Sequence, residues 1–348
     1  MASPLVSTLL ATLLAARALA QTSSQYCANA NSVSVANGQV RCVWAAYEFG
    51  SFVVPPRGVD SITVTLRGGS GGHGGSDNQG LGAEFSVPIA VSPDAQYNIY
   101  VGEDGQNDSQ SSTGVAGRSL FPGGAYAGGS GGKGTEVTGA GGGSASGVVD
   151  AASDALLVLA GAGGAGGNGS GGSSALPGQY AGSGGPATTN DDEQPADGGT
   201  ASGTSAATGA YDPESNTRGN DGGTSTATPA GLGAAGLAGD PYGGAGGGGG
   251  FGGGGGGILI YDYNGDSPAP RIAPGGGGSS YAASGLVATA ASDSSIVGPY
   301  ISIVYAAGPV ISGKAQNTRR RAMRSQRIAA LAKALERRAH EGRRYIVD

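Results

Sequence analysis

This sequence predicts a mainly β fold that frames glycine-rich segments, and three observations lead to it. The chain holds 73 glycines in 348 residues, and all but seven lie between Gly68 and Gly285. Short apolar, β-branched segments stand before, within and after the glycine tracts. The glycines follow no strict G-X-Y register and lack the matching proline, which disfavours a collagen triple helix. Glycine has the most backbone entropy to lose on folding and offers no side chain to bury, so the tracts cannot build a conventional core. Composition alone leaves two outcomes open, a disordered tether or an extended array satisfied by its own N–H and C=O groups. The interleaved strands favour a folded domain over about residues 45–308.

Residues 1–20 read as a signal peptide. An apolar stretch from Leu5 to Ala16 leads into Ala18-Leu19-Ala20, a small-x-small pattern that places cleavage after Ala20. The first residues carry no Lys or Arg, and Arg17 sits late. The stretch is too short for a spanning helix, and no later one is long enough, so no transmembrane span is expected. The sequence has two cysteines, Cys27 and Cys42, in what is then an oxidising compartment. They are expected to pair and close an N-terminal disulfide loop over 21–44, worth about 3 kcal/mol in the chain-entropy account. Asn107-Asp108-Ser109 and Asn168-Gly169-Ser170 make Asn107 and Asn168 candidate glycosylation sites.

Seven segments carry strand signals: Phe52 to Val54, Ser61 to Leu66, Phe85 to Val91, Tyr97 to Val101, Leu156 to Ala160, Ile258 to Tyr261 and Tyr300 to Tyr305. Residues 188–223 bring Asp, Ala, Ser and Thr with almost no large apolar residue, and read as a disordered, mobile surface insertion. Residues 309–348 form a basic tail. Ile328, Leu331, Ala332, Leu335 and Ala339 fall on one helical stripe, so a helix is expected within it.

The order of motifs resembles a family. Tyr47-Glu48-Phe49, Phe52-Val53-Val54-Pro55, Gly58-Val59 and Ile62 to Gly69 are similar to the opening of glycine-rich domains of secreted proteins. Among these is the extracellular glycine-rich region of the anaplastic lymphoma kinase and leukocyte tyrosine kinase receptors. Val91-Ser92-Pro93 with Tyr97 to Gly102, Leu156 to Gly164, Gly275 to Tyr281 and Tyr300 to Tyr305 continue the likeness in order. The resemblance implies a β-sandwich-like frame carrying left-handed polyglycine helices of the polyproline type, with a binding or adhesion role. It implies no enzyme. His-Arg-Asp and Asp-Phe-Gly do not occur, so kinase activity does not carry over, and no ligand-contact motif matches.

Several motifs imitate chemistry. Gly161 to Gly166 satisfies G-x-G-x-x-G after an apolar strand, but Gly167-Asn168-Gly169-Ser170 follows where a phosphate-binding helix should start. Gly132-Lys133 lacks the first glycine and the Ser or Thr of a phosphate loop. Asp262, Asn264 and Asp266 open like a calcium loop, yet Ser267 and Ala273 stand where glycine and the closing carboxylate belong. His73 has no partner at metal or triad spacing and reads as a solvated loop residue, while Trp44 and Tyr47 read as anchors of the domain edge. No catalytic residue, cofactor or metal is assigned. The expected function is a secreted, non-catalytic structural or binding protein of the cell surface or extracellular matrix, with a secreted hydrolase on an unfamiliar scaffold as the alternative. Its partner is an unknown extracellular protein or surface polymer, and nucleic acid is not expected. Residues 21–313 carry 7 basic and 22 acidic residues, net −15, while 314–348 carry 11 and 3, net +8. The tail therefore suits an anionic surface, or removal at Arg321, Arg338 and Arg344, each of which closes a run of arginines.

Overall fold

The computed structural model describes residues 24–45, 47–73, 80–107, 114–135, 138–166, 207–212, 215–228, 230–239, 244–261, 270–283 and 298–306. The chain divides into two units, Met1–Ala306 and Ala307–Asp348. Everything described belongs to the first, and the basic tail lies outside the described residues.

Strands in chain order are β1 (Cys27–Ala28), β2 (Ser32–Ala36), β3 (Gln39–Ala45), β4 (Phe49–Val53), β5 (Ser61–Arg67), β6 (Glu84–Ala90), β7 (Gln96–Tyr100), β8 (Ser146–Asp150) and β9 (Leu156–Ala160). They continue with β10 (Tyr211–Asp212), β11 (Thr217–Arg218), β12 (Ile258–Tyr261), β13 (Pro270–Ala273), β14 (Tyr281–Ala282) and β15 (Tyr300–Ala306). All seven expected segments are strands. Two antiparallel sheets carry the frame, a six-stranded one in the order β1-β4-β7-β8-β9-β14 and a five-stranded one in the order β2-β3-β15-β5-β6. β10 pairs with β11 and β12 with β13 as separate ribbons.

Alternation decides which face is buried. Val40, Cys42 and Trp44 on β3, Ile62, Val64 and Leu66 on β5, and Ile301 and Ile303 on β15 point one way and are buried. Against them lie Phe52, Ile99, Val148 and Val158 of the six-stranded sheet, also buried. Phe52 meets Tyr305 across the two sheets with ring centroids 5.4 Å apart. The indole N–H of fully buried Trp44 donates to the Ala28 carbonyl at 2.9 Å, which satisfies its polar atom inside the core. The frame is thus a β-sandwich of two facing sheets.

The disulfide between Cys27 and Cys42 is present, with Cα atoms 6.2 Å apart. Its placement differs from a loop ahead of the domain. Cys27 stands in the six-stranded sheet and Cys42 in the five-stranded one, so the bond fastens one sheet to the other. The cause is the β2–β3 hairpin, which enters the five-stranded sheet through β15.

Glycine segments fill the region beyond the strand ends. Segment 138–145 shows their bonding: Gly139, Gly142 and Ala145 donate to Gly132, Gly129 and Tyr126, while Gly141 and Ser144 donate to Gln106 and Glu103. Its carbonyls at Ala140 and Gly143 accept from Gly246 and Gly249, and those at Gly141 and Ser144 accept from Gly72 and Gly69. Partners recur every third residue, the repeat of the extended polyproline-type helix, which makes no bonds within itself. Here the N–H and C=O groups that such a helix normally gives to water go to neighbouring segments, antiparallel ones at 126–132, 103–106 and 69–72 and a parallel one at 246–249. Segment 244–250 repeats the scheme, with Gly244, Gly247 and Gly250 donating to Leu237, Ala234 and Gly231, and Gly246 and Gly249 donating to Ala140 and Gly143. The result is a lattice of glycine segments.

Close approach explains why glycine is required. A Cβ on Gly142 would run into the Gly247 carbonyl. Alanine is admitted where three segments leave a channel, and Ala140, Ala165 and Ala245 gather their methyls into one buried cluster. Part of the expected surface insertion also joins the lattice. Ala207 and Ala210 are buried, and Ala210 and Gly222 donate to Gly256 and Ala207. Small residues without apolar bulk suit this array, so their composition does not mark the stretch as mobile. Of the expected insertion, 188–206, 213 and 214 lie outside the described residues.

Candidate functional site

The two outer faces of the sandwich differ. On the six-stranded sheet, Tyr100, Val149 and Leu159 point outward and are covered by Phe121 and Tyr126 from the loop that enters the lattice. Tyr100 and Phe121 stack with centroids 4.5 Å apart, and Tyr126 meets Phe121 edge-on at 4.8 Å. That face is closed by aromatic side chains.

The five-stranded sheet leaves an open groove of about 510 Å³ on its outer face. Residues that alternate away from the core line it, among them Ser34, Asn37, Gln39, Arg41, Thr65 and Ser302. Register explains the grouping. Ser34, Arg41, Val304 and Thr63 share one row across β2, β3, β15 and β5, and Ser32, Val43, Ser302, Thr65 and Ser86 share the next. Arg41 Nε donates to Ser302 Oγ at 2.9 Å, which fixes the guanidinium over the sheet. Thr65 and Ser86 share a hydroxyl–hydroxyl bond of 2.7 Å. The lining holds no carboxylate. Such a surface offers hydroxyls, amides and one cation to a polar ligand, without a nucleophile and base in reach of each other.

The third row carries Tyr300, Arg67 and Glu84 at paired positions of β15, β5 and β6. Tyr300 and Arg67 are buried. The Tyr300 hydroxyl donates to Glu84 Oε1 at 2.9 Å. Burial first, and then the bond to Glu84, push the phenol up to about 12, against Arg41 and Arg67, which favour ionisation. Tyr300 is thus held as a neutral donor to Glu84 in this third row. Nearby, Asp104 Oδ1 accepts the Ser70 N–H at 2.6 Å. Burial holds its carboxyl above the ordinary value, with the Ser70 bond and Arg67 opposing.

Its neighbour Glu103 behaves in the opposite way. Arg118 grips both carboxylate oxygens, Nε to Oε2 at 2.8 Å and Nη2 to Oε1 at 2.9 Å, and that bonding holds Glu103 below the ordinary carboxylate range. The same guanidinium lies over the Tyr47 ring, 4.4 Å from its centroid. The Glu103–Arg118 pair thus extends onto the Tyr47 ring.

The other motifs resolve through the lattice. Ala162, Gly163, Ala165 and Gly166 donate their N–H groups to Gly249, Gly69, Gly246 and Gly72, and Gly161 donates to Ser280 Oγ, so five of the six amides of the G-x-G-x-x-G pattern are already engaged within the fold. Gly132 donates to Gly244, and the Lys133 carbonyl accepts from Gly239. His73 lies next to the first sequon, where its N–H donates to Asn107 Oδ1 at 2.9 Å. Asn107 is exposed. Among the described residues no three His, Cys, Asp or Glu side chains gather as a metal site, and no helix is long and apolar enough to cross a membrane. Asn168, Asp262, Asn264, Asp266, Arg321, Arg338 and Arg344 lie outside the described residues. The sequence reading missed the groove, although Gln39, Arg41 and Val43, set between Val40, Cys42 and Trp44, carry its alternation. No family model matches the chain, and no curated protein matches it.

Proposed function

We propose that this chain is a secreted, non-catalytic binding module. The glycine lattice serves as its rigid body, and the open outer face of the five-stranded sheet engages an extracellular protein or surface polymer. One contrast carries the reading: the lattice binds its backbone groups internally and displays few functional side chains, whereas the groove displays hydroxyl, amide and guanidinium groups on a rigid sheet. Open polar surfaces of this kind suit recognition, while catalysis calls for a closed pocket with converging reactive groups. The disulfide fits an oxidising compartment, and the motif order shared with extracellular glycine-rich domains supports the same role. The basic tail would add attachment to anionic surfaces.

Pull-down of the purified mature chain against surface polymers and secreted proteins of its source tests the reading. Arg41→Glu and Thr65→Glu, both on the outer face, should abolish capture while leaving thermal unfolding unchanged. Capture that both variants retain would remove the groove from the proposal, and turnover of ester, peptide or glycoside substrates would replace the binding role with a hydrolase. For the tail, binding to anionic vesicles should fall with added salt and on truncation after Gly313.

A further inference from the structure

The edges of the two sheets are not alike. Among the described residues the six-stranded sheet ends on β1 and β14, two residues each, and the far edge of the five-stranded sheet is β6, where Pro88 lacks an N–H and Glu84 carries a charge, both unfavourable to adding a further strand. β2 is different. It reads Ser-Val-Ser-Val-Ala, five residues with no charge and no proline.

The hairpin fixes which groups this edge offers. Asn37 and Gly38 both have positive φ, 51° and 72°, and join Ala36 to Gln39 as a two-residue turn of the primed type. Ala36 and Gln39 then form a bonded pair, and bonded pairs alternate along the ladder, at Ser34 with Arg41 and at Ser32 with Val43. The N–H and C=O groups of Val33 and Val35 therefore point away from β3, and they find no partner among the described residues.

We infer that β2 is a self-association edge, pairing antiparallel with β2 of a second copy about a twofold axis at Ser34. This register sets Val33 opposite the partner's Val35 and Val35 opposite the partner's Val33, so each pair exchanges two bonds and every outward group of the edge is satisfied. Ser34 faces its own counterpart in an unbonded pair, where small side chains allow the closest approach. Ser32 meets Ala36, again small against small. No like charges meet directly across the axis. Such a contact is isologous and closes as a dimer, with two five-stranded sheets fused into one. Because the groove starts at Ser34, Ala36 and Asn37, pairing also brings the two copies' grooves side by side.

Light scattering of the full secreted chain over a range of concentrations tests this. The wild type should show a concentration-dependent dimer. Ser34 is exposed, so Ser34→Lys and Ser34→Asp should each fold, and each should be monomeric because like charges meet on the axis. An equimolar mixture of the two should recover the dimer. Independently, Ser34→Cys should give a covalent dimer under mild oxidation, because Cα atoms of an unbonded pair lie about 4.5 Å apart, within disulfide reach. A monomeric wild type at all concentrations would overturn the proposal, as would a dimer that survives in both charged variants.

Discussion

Replacing Gly142 by alanine tests whether the lattice holds by backbone contact. Gly142 sits mid-segment, donates to Gly129 and accepts from Gly117, and its new Cβ would collide with the Gly247 carbonyl. Relief requires segment 138–145 to move away from 244–250. That motion stretches the bonds from Gly246 to Ala140 and from Gly249 to Gly143, each 2.9 Å, and disturbs the bond from Gly129 to Gly247, 2.8 Å. At roughly 0.5–1.5 kcal/mol for each bond, with overpacking included, the loss comes to about 3–5 kcal/mol. For a domain of this size that lowers the unfolding temperature by roughly 6–20 °C. Ala245→Gly is the control. It removes one buried methyl, so about 1 kcal/mol from burial and a similar amount from backbone entropy are expected. Thermal unfolding followed by circular dichroism compares the two. Equal stability of Gly142→Ala and wild type would refute close packing of the segments, and a larger loss from Ala245→Gly would reverse the reasoning.

Removing both Cys27 and Cys42 by alanine substitution should cost about 3 kcal/mol, read as a lower urea midpoint, and non-reducing mass mapping should find the two joined in the secreted wild type. Asp104 is raised by burial, so its contribution favours the folded state at low pH and is lost as pH rises through its folded value. Asp104→Asn retains an acceptor for Ser70 and should unfold at higher temperature than wild type at neutral pH, with the gap closing as pH falls into the carboxylate range. A lower unfolding temperature at neutral pH would mean that the Arg67 interaction outweighs burial. Asn107 accepts from His73 through Oδ1, which leaves Nδ2 for a glycan, so a eukaryotic source should yield a mass that drops on enzymatic deglycosylation and is absent in Asn107→Gln.

Long alternating segments are legible in the sequence itself. β9 and β12 begin and end as their apolar runs do, and β5, β6, β7 and β15 shift by a residue or so at their ends. The β2–β3 hairpin carried an Asn-Gly turn and strict alternation, yet its place near two cysteines suggested a separate loop. β1, β10, β11 and β14 have two residues each, too short for periodicity to register. The groove is a property of register: Ser34, Arg41, Thr65 and Ser302 meet only once β15 is inserted between β3 and β5, a pairing of residues more than 200 positions apart that no local pattern encodes. Similarly, the composition of 207–223 is that of a flexible coil and of a lattice segment alike, and only the partners distinguish them.

The lattice also has a genetic consequence. Every single-base change that alters a glycine codon's amino acid introduces at least a Cβ, and alanine and serine are the mildest products. In a segment such as 244–250, where added atoms at Gly244, Gly246 and Gly247 all meet neighbouring backbone, nearly every such change is a steric error. Drift is therefore confined to positions outside the lattice. On the outer face of the five-stranded sheet the exposed positions Ser34, Gln39, Arg41 and Ser86 meet no such backbone, whereas Arg67, Tyr300 and Ser302 are buried there, so lineages of this protein should diverge at the exposed positions while keeping the body that holds them.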